Sequence, residues 1–188
     1  MSLLEEILVL PPEEGAPLLL GSVIVSDIGG ARVRVRIEEV EAYRGADDPA
    51  SHAHRGPTPR NGSMFARPGT LYVYRSYGVH NCANTSAGPA GTGWGILFRG
   101  GEVVEGEAIV RERRGRDSDL ADGPGKLCQA LGVDLSHDGL YLLAPDSPIR
   151  LEQGDSPEVV VSTPRVGITK AKDRPWRFVA ATMATARR

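Results

Sequence analysis

Short runs in which apolar and polar residues alternate predict that this chain is built mainly from β-strands. The clearest run covers residues 33–37, where every second residue is apolar and an arginine stands between each pair. A two-residue period places alternate side chains on opposite faces of a strand. The apolar run 23–25 comes earlier, and the pair Gly29-Gly30 lies between the two runs. Apolar runs around a glycine pair predict a β-hairpin.

The second strand of this hairpin leads into acidic residues. If its two-residue period continues, Glu39 and Glu41 lie on the apolar side, although a bulge or the strand end could shift this register. Either way, we expect at least one carboxylate to face the interior. A buried carboxylate must be hydrogen-bonded or functional, and burial raises its pKa toward the range of a general base. The alternative is a partly exposed Glu41 that pairs with Arg34 or Arg44.

The remaining pattern predicts an α+β fold with a mostly antiparallel sheet. Residues 45–69 are rich in loop-forming residues. No repeat or linker divides the 188 residues, a usual length for one domain, so we expect a single domain over 1–188. The predicted strands are 71–75, 79–84, 96–98, 149–151, 159–161 and 166–168, with a tight turn at 76–78, and the predicted helices are 13–20, 104–113 and 126–131.

Composition favours a loop-rich protein of the cytoplasm. The chain has 23 Gly and 14 Pro, which favours many turns over a helical bundle. Its apolar runs are too short to span a membrane, and its first residues lack the charged segment of a signal peptide. Because Cys82 and Cys128 form no spacing motif, we expect a reducing compartment.

Charge is distributed unevenly along the chain. The formal net charge is −2, which argues against a protein that coats nucleic acid without specificity. Residues 51–100, however, contain no Asp or Glu, five arginines, three of the four histidines and six of the ten aromatic residues. Basic groups bind phosphates and aromatic faces stack on bases, so this segment is typical of a local polyanion-binding surface. The alternative is a chance cluster of arginines on a solvated face.

Three tyrosines of this segment occupy distinctive positions. Tyr72 and Tyr74 are two residues apart, so they share one face of the predicted strand. Tyr77 lies at the predicted hairpin tip beside Gly78, where an aromatic ring is poorly placed for core packing and well placed to wedge into a base stack. The alternative is that Tyr72 and Tyr74 are ordinary residues of an amphipathic strand.

Two further groupings suggest ligands. His52 and His54 follow Asp48 closely, and a His-x-His pair near carboxylates can bind a metal. Residues 122–126 place glycines and Lys126 at a helix start, which suits a phosphate, although the spacing is not that of a Walker motif. A simple turn before a helix explains the second grouping equally well.

Taken in order, these residues resemble a known family. From about Leu18 to Phe178, their order and spacing is similar to the alkyladenine (3-methyladenine) DNA glycosylase family. The motifs that carry the resemblance are Glu41-Ala-Tyr43, Asp48-Pro-Ala-Ser-His52, Thr58-Pro-Arg60-Asn61, Met64-Phe65, Pro68-Gly-Thr-Leu-Tyr72-Val-Tyr74, Tyr77-Gly78, Asn84, Gly123-Pro-Gly-Lys126-Leu-Cys-Gln-Ala-Leu131, Arg165-Val-Gly-Ile168 and Arg177-Phe178.

The resemblance implies a fold and an activity. The fold would be one α+β domain with a curved, mostly antiparallel sheet, surrounding helices and a protruding β-hairpin. The activity would be base excision repair: a damaged purine is flipped out of the duplex, and water cuts its N-glycosidic bond and leaves an abasic site. The implied substrates are 3-methyladenine, 7-methylguanine, hypoxanthine and ethenoadenine.

The resemblance also implies a role for each matched site residue. The catalytic pair would be Glu41, as general base, and Arg99, which would help to hold the water. The residues around the flipped base would be Tyr43, His52 and Tyr74, which sandwich it, and Asn84, which guards against the amino group of normal guanine. The residues on the DNA would be Tyr77, which fills the gap in the stack, and Arg60 and Lys126 near the backbone.

We expect no metal or redox cofactor, because water is the nucleophile in this chemistry. A lyase would need an amine for a Schiff base, and none of the chain's three lysines lies near the Glu41 motif in sequence. The expected partner is double-stranded DNA with a damaged purine, and no membrane or obligate protein partner is expected. We expect a monomer in the bacterial cytoplasm, associated with the nucleoid.

The chain departs from the family's pattern at four places. These are Arg75-Ser76 with His80-Asn81 around the hairpin tip, Trp94-Gly95, Gly100-Gly101, and the last residues 178–188. In the family, the last stretch is expected to line the pocket and to offer a backbone carbonyl to the water. Two alternatives therefore stay open: a damage-binding protein with impaired catalysis, and a metal-dependent hydrolase built on Asp48, His52 and His54.

Overall fold

The computed structural model describes residues 2–183 and confirms the α+β class with a single curved antiparallel sheet. Four short helices pack around the strands that the described residues form. The strands are β1 Val23–Ser26, β2 Val33–Arg44, β3 Leu71–Ser76, β4 His80–Ala87, β5 Trp94–Glu105, β6 Ile149–Glu152, β7 Val159–Thr163 and β8 Arg177–Ala181. The helices are α1 Leu3–Leu8, α2 Pro12–Leu18, α3 Glu107–Arg114 and α4 Pro124–Leu131.

Strand β2 is the centre of the sheet. The strand order is β3-β4-β5-β2-β1-β6, and every pair is antiparallel. On its other edge β2 pairs first with β1 and then, over residues 39–41, with β8, which continues to β7. Because two different strands share this edge, the sheet curls into a half-barrel, and the second half of β2 is enclosed on both sides.

The alternating pattern of β2 builds the core. Val33, Val35 and Ile37 are all buried, as the two-residue period predicts. They belong to one core cluster with Ala16 of α2, with Leu19 just beyond the end of α2, and with Leu127 of α4. Within residues 2–183 we find no helix long and apolar enough to cross a membrane.

A bulge interrupts the pairing of β2 with β5 at the point where the acidic residues begin. Glu39 pairs with Gly100 and Val40 pairs with Phe98, so Arg99 between them has no partner residue on β2. Beyond this irregularity Val40, Glu41 and Ala42 are all buried. A bulge bends a strand and redirects a side chain. Here it places Arg99 and Glu41 in the same interior space.

The β3–β4 hairpin matches its prediction closely. Its tip is the turn Tyr77-Gly78, in which both residues have positive φ angles of 49° and 71°. Two such residues form the turn type whose twist suits a two-stranded ribbon. Tyr77 is 93% exposed there, so the hairpin protrudes with an aromatic ring at its end.

Several predicted boundaries are wrong. The helix predicted at 104–113 begins only at Glu107, because β5 runs on through Glu105 and Gly106, with φ of 80°, ends it. The strand predicted at 166–168 is a loop, in which Gly167 has a φ of 74°. The structure also adds two elements that were not predicted, α1 and β8.

Candidate active site

A cleft of about 780 Å³ opens between the β3–β4 hairpin, the loop 49–64 and the loop 166–170. Its size suits a small molecule or a single base. Seven of the nine residues predicted for the site line this cleft: Tyr43, His52, Arg60, Tyr74, Tyr77, Asn84 and Arg99. Glu41 lies directly beneath it, bonded to cleft residues.

Glu41 is a fully buried carboxylate with a complete set of partners. The Tyr43 hydroxyl donates to its Oε2 at 2.7 Å, and the backbone N–H of Val166 donates to its Oε1 at 2.8 Å. Arg99 Nη1 lies 3.4 Å from the same Oε1. Hydrogen bonds and a positive partner offset the cost of burying a charge. The expectation of an interior carboxylate at the end of β2 is therefore confirmed.

Tyr43 is a hydrogen-bond donor to Glu41 that keeps its proton. Burial and then the neighbouring Glu41 carboxylate raise the pKa of Tyr43 far above its ordinary value of 10. The phenol stays protonated at any physiological pH, so its hydroxyl always donates toward Glu41. This hydrogen bond holds the carboxylate and the Tyr43 ring in a fixed relation.

The aromatic wall of the cleft is formed by His52, Tyr72 and Tyr74. The ring centroids of His52 and Tyr74 are 4.4 Å apart at an interplanar angle of 78°, and Tyr72 and Tyr74 are stacked with centroids 5.7 Å apart. His52 Nδ1 lies 3.1 Å from the Tyr72 hydroxyl. His52 and Tyr74 thus contact each other edge to face, and both rings border the cleft.

Burial, followed by the positive charge of Arg60, lowers the pKa of His52 below its ordinary value of 6.5. His52 is therefore a neutral imidazole at pH 7. A neutral ring suits stacking against a base that carries a positive charge, because it adds no like charge to the cleft.

Asn84 is buried in the floor of the cleft. It pairs with Tyr72 across β3 and β4, and its Nδ2 donates to the Tyr72 carbonyl at 3.1 Å. This bond fixes the side-chain amide relative to the aromatic wall. Its predicted role, exclusion of the guanine amino group, stays a prediction.

The structure reveals a buried ion pair that sequence reasoning missed. Arg165 and Asp48 are both fully buried, and Arg165 Nη2 donates to Asp48 Oδ1 at 2.9 Å. Burial opposes ionisation of Asp48, but the bonds from Arg165 outweigh it and hold the pKa of Asp48 below its usual range. Arg165 also donates to the Ala42 carbonyl and packs over the Tyr43 ring. The pair therefore fixes the loop that presents Val166 to Glu41.

The same contacts argue against a metal site on Asp48, His52 and His54. The Asp48 carboxylate is occupied by Arg165, and His54 Nδ1 lies 2.7 Å from the Ala46 carbonyl. Across residues 2–183, no three His, Cys, Asp or Glu side chains gather as metal ligands would.

Unpaired cations surround the mouth of the cleft. Arg60, Arg75 and Lys170 line it, and none of them has a carboxylate partner among the described residues. Lys126 binds Asp122 at 2.8 Å in an exposed pair, and its predicted place near the DNA backbone stays a prediction. Free positive charges around an aromatic cleft favour a polyanionic ligand.

The expectation for the C-terminal residues needs correction. In the part of the chain that the structure describes, residues 178–183 belong to β8 and the residues after it, and they do not line the cleft. The loop 166–170 lines it instead. Residues 184–188 lie outside the described residues. Residues 178–183 therefore form no part of the cleft wall.

The fold and the cleft together define a class of protein. A curved antiparallel sheet that brings a buried carboxylate and an arginine to an aromatic cleft with a cationic rim fits a protein that takes one base of a nucleic acid.

Comparison with known proteins gives the family. A sequence model described as methylpurine-DNA glycosylase (MPG) matches residues 6–184. A Rhodococcus jostii protein named "Putative 3-methyladenine DNA glycosylase" is 51% identical over 175 residues, which cover 89% of this chain and 76% of that protein. A protein of the same name from Nocardia farcinica is 47% identical, and the match covers 92% of this chain and 84% of that protein. Another from Mycobacterium tuberculosis H37Rv is 43% identical, and the match covers 92% of this chain and 87% of that protein. The chain belongs to the methylpurine-DNA glycosylase family, and it is a DNA repair enzyme that acts on DNA.

Proposed function

We propose that this enzyme is a monofunctional glycosylase that flips a damaged purine into the cleft and hydrolyses its N-glycosidic bond with a water activated by Glu41. The observation that carries the proposal is the placement of Glu41, a buried carboxylate whose hydrogen-bond donors all border the aromatic cleft. The proposed substrates are 3-methyladenine, 7-methylguanine, hypoxanthine and ethenoadenine.

In the proposed reaction, the oxygen of water attacks C1′ of the deoxyribose while the bond from C1′ to the purine nitrogen breaks. Glu41 takes one proton from the water, and the bonding electrons leave with the base. Alkylated purines carry a positive charge and leave as neutral bases, whereas hypoxanthine and ethenoadenine need a proton from an acid. Arg99, 3.4 Å from Glu41, would hold the water beside the carboxylate.

The aromatic residues would offset the cost of flipping. Unstacking a base costs about a few kcal/mol, and less when the base is damaged. Stacking against Tyr43, His52 and Tyr74 would return roughly 1–3 kcal/mol per base and suits a cationic purine. Tyr77, at the exposed hairpin tip, would fill the gap left in the duplex.

The cationic rim would hold the DNA backbone. Arg60 and Lys126 are proposed to lie near phosphates, and the unpaired Arg75 and Lys170 would join them. For Lys126 this requires exchange of its exposed bond to Asp122 for a phosphate, which costs little at the surface. We propose that the enzyme is a monomer and acts on nucleoid DNA in the bacterial cytoplasm.

A panel of duplexes, each with one proposed lesion, tests the proposal. The wild-type protein is expected to release the damaged base and to leave a strand that breaks only on heating in alkali, because a monofunctional enzyme makes no strand cut. Matched duplexes with undamaged purines are the control. Tight lesion binding without base release would instead identify a damage-binding protein.

A further inference from the structure

Glu39 is a second carboxylate next to the site, and the proposed chemistry leaves it without a role. Its side chain is 21% exposed, and its Oε1 accepts hydrogen bonds from Arg99 Nε and Arg177 Nε, both at 2.6 Å. Burial opposes ionisation of Glu39, but the bonds from Arg177 and Arg99 outweigh it and lower its pKa. Glu39 is therefore an anion at neutral pH.

The bulge between β2 and β5 creates the contact between Glu39 and Arg99. Arg99 has no pairing partner on β2, and Glu39 pairs with the next residue, Gly100. The irregularity brings both side chains to one end of the interior, where Arg99 is only 15% exposed. A bulge of this kind can redirect a side chain next to an active site.

The two carboxylates hold different edges of one guanidinium group. Glu39 binds the Nε edge of Arg99, and Arg99 Nη1 lies 3.4 Å from Glu41. Because a guanidinium is planar and rigid, fixing one edge sets the direction of the other. Without Glu39, nothing else described near Arg99 binds its Nε, and the group is free to swing its Nε edge toward Glu41.

We propose that Glu39 is a positioning residue, which acts through Arg99 to hold the guanidinium in the orientation that serves Glu41 and the water. The inference rests on the proposed function, since it gives Arg99 its role there. Glu39 itself does not line the cleft, so it is expected to affect the chemical step and not the binding of damaged DNA.

A purely structural role for Glu39 is the alternative, because Arg177 belongs to β8 and Glu39 ties that strand to β2. Arg177 provides a matched control. It binds the same Oε1 at the same distance as Arg99 does, and it also contacts Thr163. Arg177 pairs with Glu41 through the backbone of β8 and β2, but its side chain has no described contact with the Glu41 carboxylate. If Glu39 acted only by joining β2 to β8, Glu39→Gln and Arg177→Gln would lower the rate constant equally.

The test compares Glu39→Gln, Arg177→Gln, Arg99→Gln and the double variant Glu39→Gln/Arg99→Gln on a duplex with one hypoxanthine. Single-turnover rate constants and lesion affinities are measured separately. Glu39→Gln is expected to lower the rate constant about 10- to 100-fold, as misplacement of a catalytic group does, with affinity kept. Arg177→Gln is expected to stay within about twofold of the wild-type rate. Glu39→Gln is expected to add no further loss to Arg99→Gln, because the two residues act as one unit.

The inference would be overturned if Glu39→Gln reacted at the wild-type rate. It would also be overturned if Glu39→Gln lowered the rate constant of the Arg99→Gln variant by the same factor as that of the wild type. Either result would leave the proposed function intact. A wild-type rate in Arg99→Gln itself would contradict the proposed function first. If Glu39→Gln fails to fold, Glu39→Asp keeps the charge and withdraws the carboxylate by one methylene. A reduced rate in that variant supports the inference, and an unchanged rate refutes it.

Discussion

At the scale of single residues, the site is defined by which protons are fixed and which can move. Tyr43 keeps its proton because burial and Glu41 raise its pKa, and His52 stays neutral because burial and Arg60 lower its pKa. Both groups therefore present one protonation state to the cleft at pH 7. Glu41, which lies directly beneath the cleft, is the group that we propose takes a proton from the water.

The lowered pKa of His52 predicts a pH dependence of folding stability. In the unfolded chain His52 has its ordinary pKa of about 6.5, whereas in the folded protein its pKa is lower. As the pH falls below 6.5, the unfolded chain is therefore protonated at His52 to a greater extent than the folded protein. The contribution of His52 is therefore present above pH 6.5 and is lost as the pH falls toward the folded pKa. The free energy of unfolding of the wild type, relative to His52→Gln, is expected to decline between pH 7 and 5.

Denaturant unfolding of both proteins over this pH range is the measurement. The other acidic and basic groups are common to both proteins, so their titration cancels in the difference. A difference that stays constant from pH 7 to 5 would show that His52 is not desolvated in the folded protein.

At the scale of elements, the loop 165–170 is held to the segment after β2 by the buried ion pair of Arg165 and Asp48. Removal of one partner leaves an uncompensated charge in the interior, which typically costs about 3–5 kcal/mol. Asp48→Asn is expected to lower the free energy of unfolding by this amount, because Arg165 is fully buried beside it. Loss of the ion pair is also expected to increase the mobility of the loop, whose Val166 N–H donates a hydrogen bond to Glu41.

Glu107→Gln is a suitable control for Asp48→Asn. Glu107 pairs with Arg111 on the surface of α3, where solvent screens the charges, so a much smaller loss is expected. Chemical denaturation of the three proteins measures both effects. Equal stabilities for Asp48→Asn and the wild type would contradict the structural role of the pair.

The elements also show what the sequence could and could not predict. The core of β2, the β3–β4 hairpin and the interior position of Glu41 follow from a two-residue period and turn residues, which are local signals. The partner of Asp48 lies 117 residues away and the partners of Glu39 lie 60 and 138 residues away, so no local pattern indicates them. The apolar residues Val166 and Ile168 predict a strand, but in the structure they line the cleft. Periodicity cannot separate an apolar residue in a cleft wall from one packed in the core.

At the scale of the whole molecule, a net charge of −2 coexists with a cationic cleft. Most arginines elsewhere are paired with carboxylates or carbonyls, for example Arg32 with Asp27, whereas Arg75 and Lys170 at the cleft have no described acidic partner. The overall charge is thus neutralised away from the cleft and left free at its rim. This distribution favours binding of DNA at one place on the surface.

The free cations predict a change in the salt dependence of DNA binding. Each phosphate contact contributes about 0.9 to the slope of log affinity against log salt concentration. Arg75→Gln and Lys170→Gln are each expected to reduce the slope by about this amount, because each side chain would contact one phosphate. Arg32→Gln, which removes an arginine already paired with Asp27, is the control and is expected to keep the wild-type slope.

Fluorescence titrations of a lesion duplex at several salt concentrations give these slopes. If Arg75→Gln and Lys170→Gln both keep the wild-type slope, the rim of the cleft does not contact the backbone.

The measurement that tests the central claim most directly is the single-turnover rate of base release by Glu41→Gln, with Glu38→Gln as the matched control. Glu38 carries the same side chain on the same strand but lies away from the cleft. Glu41→Gln is expected to lose about 10²- to 10⁴-fold in rate, the usual contribution of a general base, while it still binds lesion DNA. Glu38→Gln is expected to react like the wild type. Base release by Glu41→Gln at the wild-type rate would contradict the claim that Glu41 activates the water.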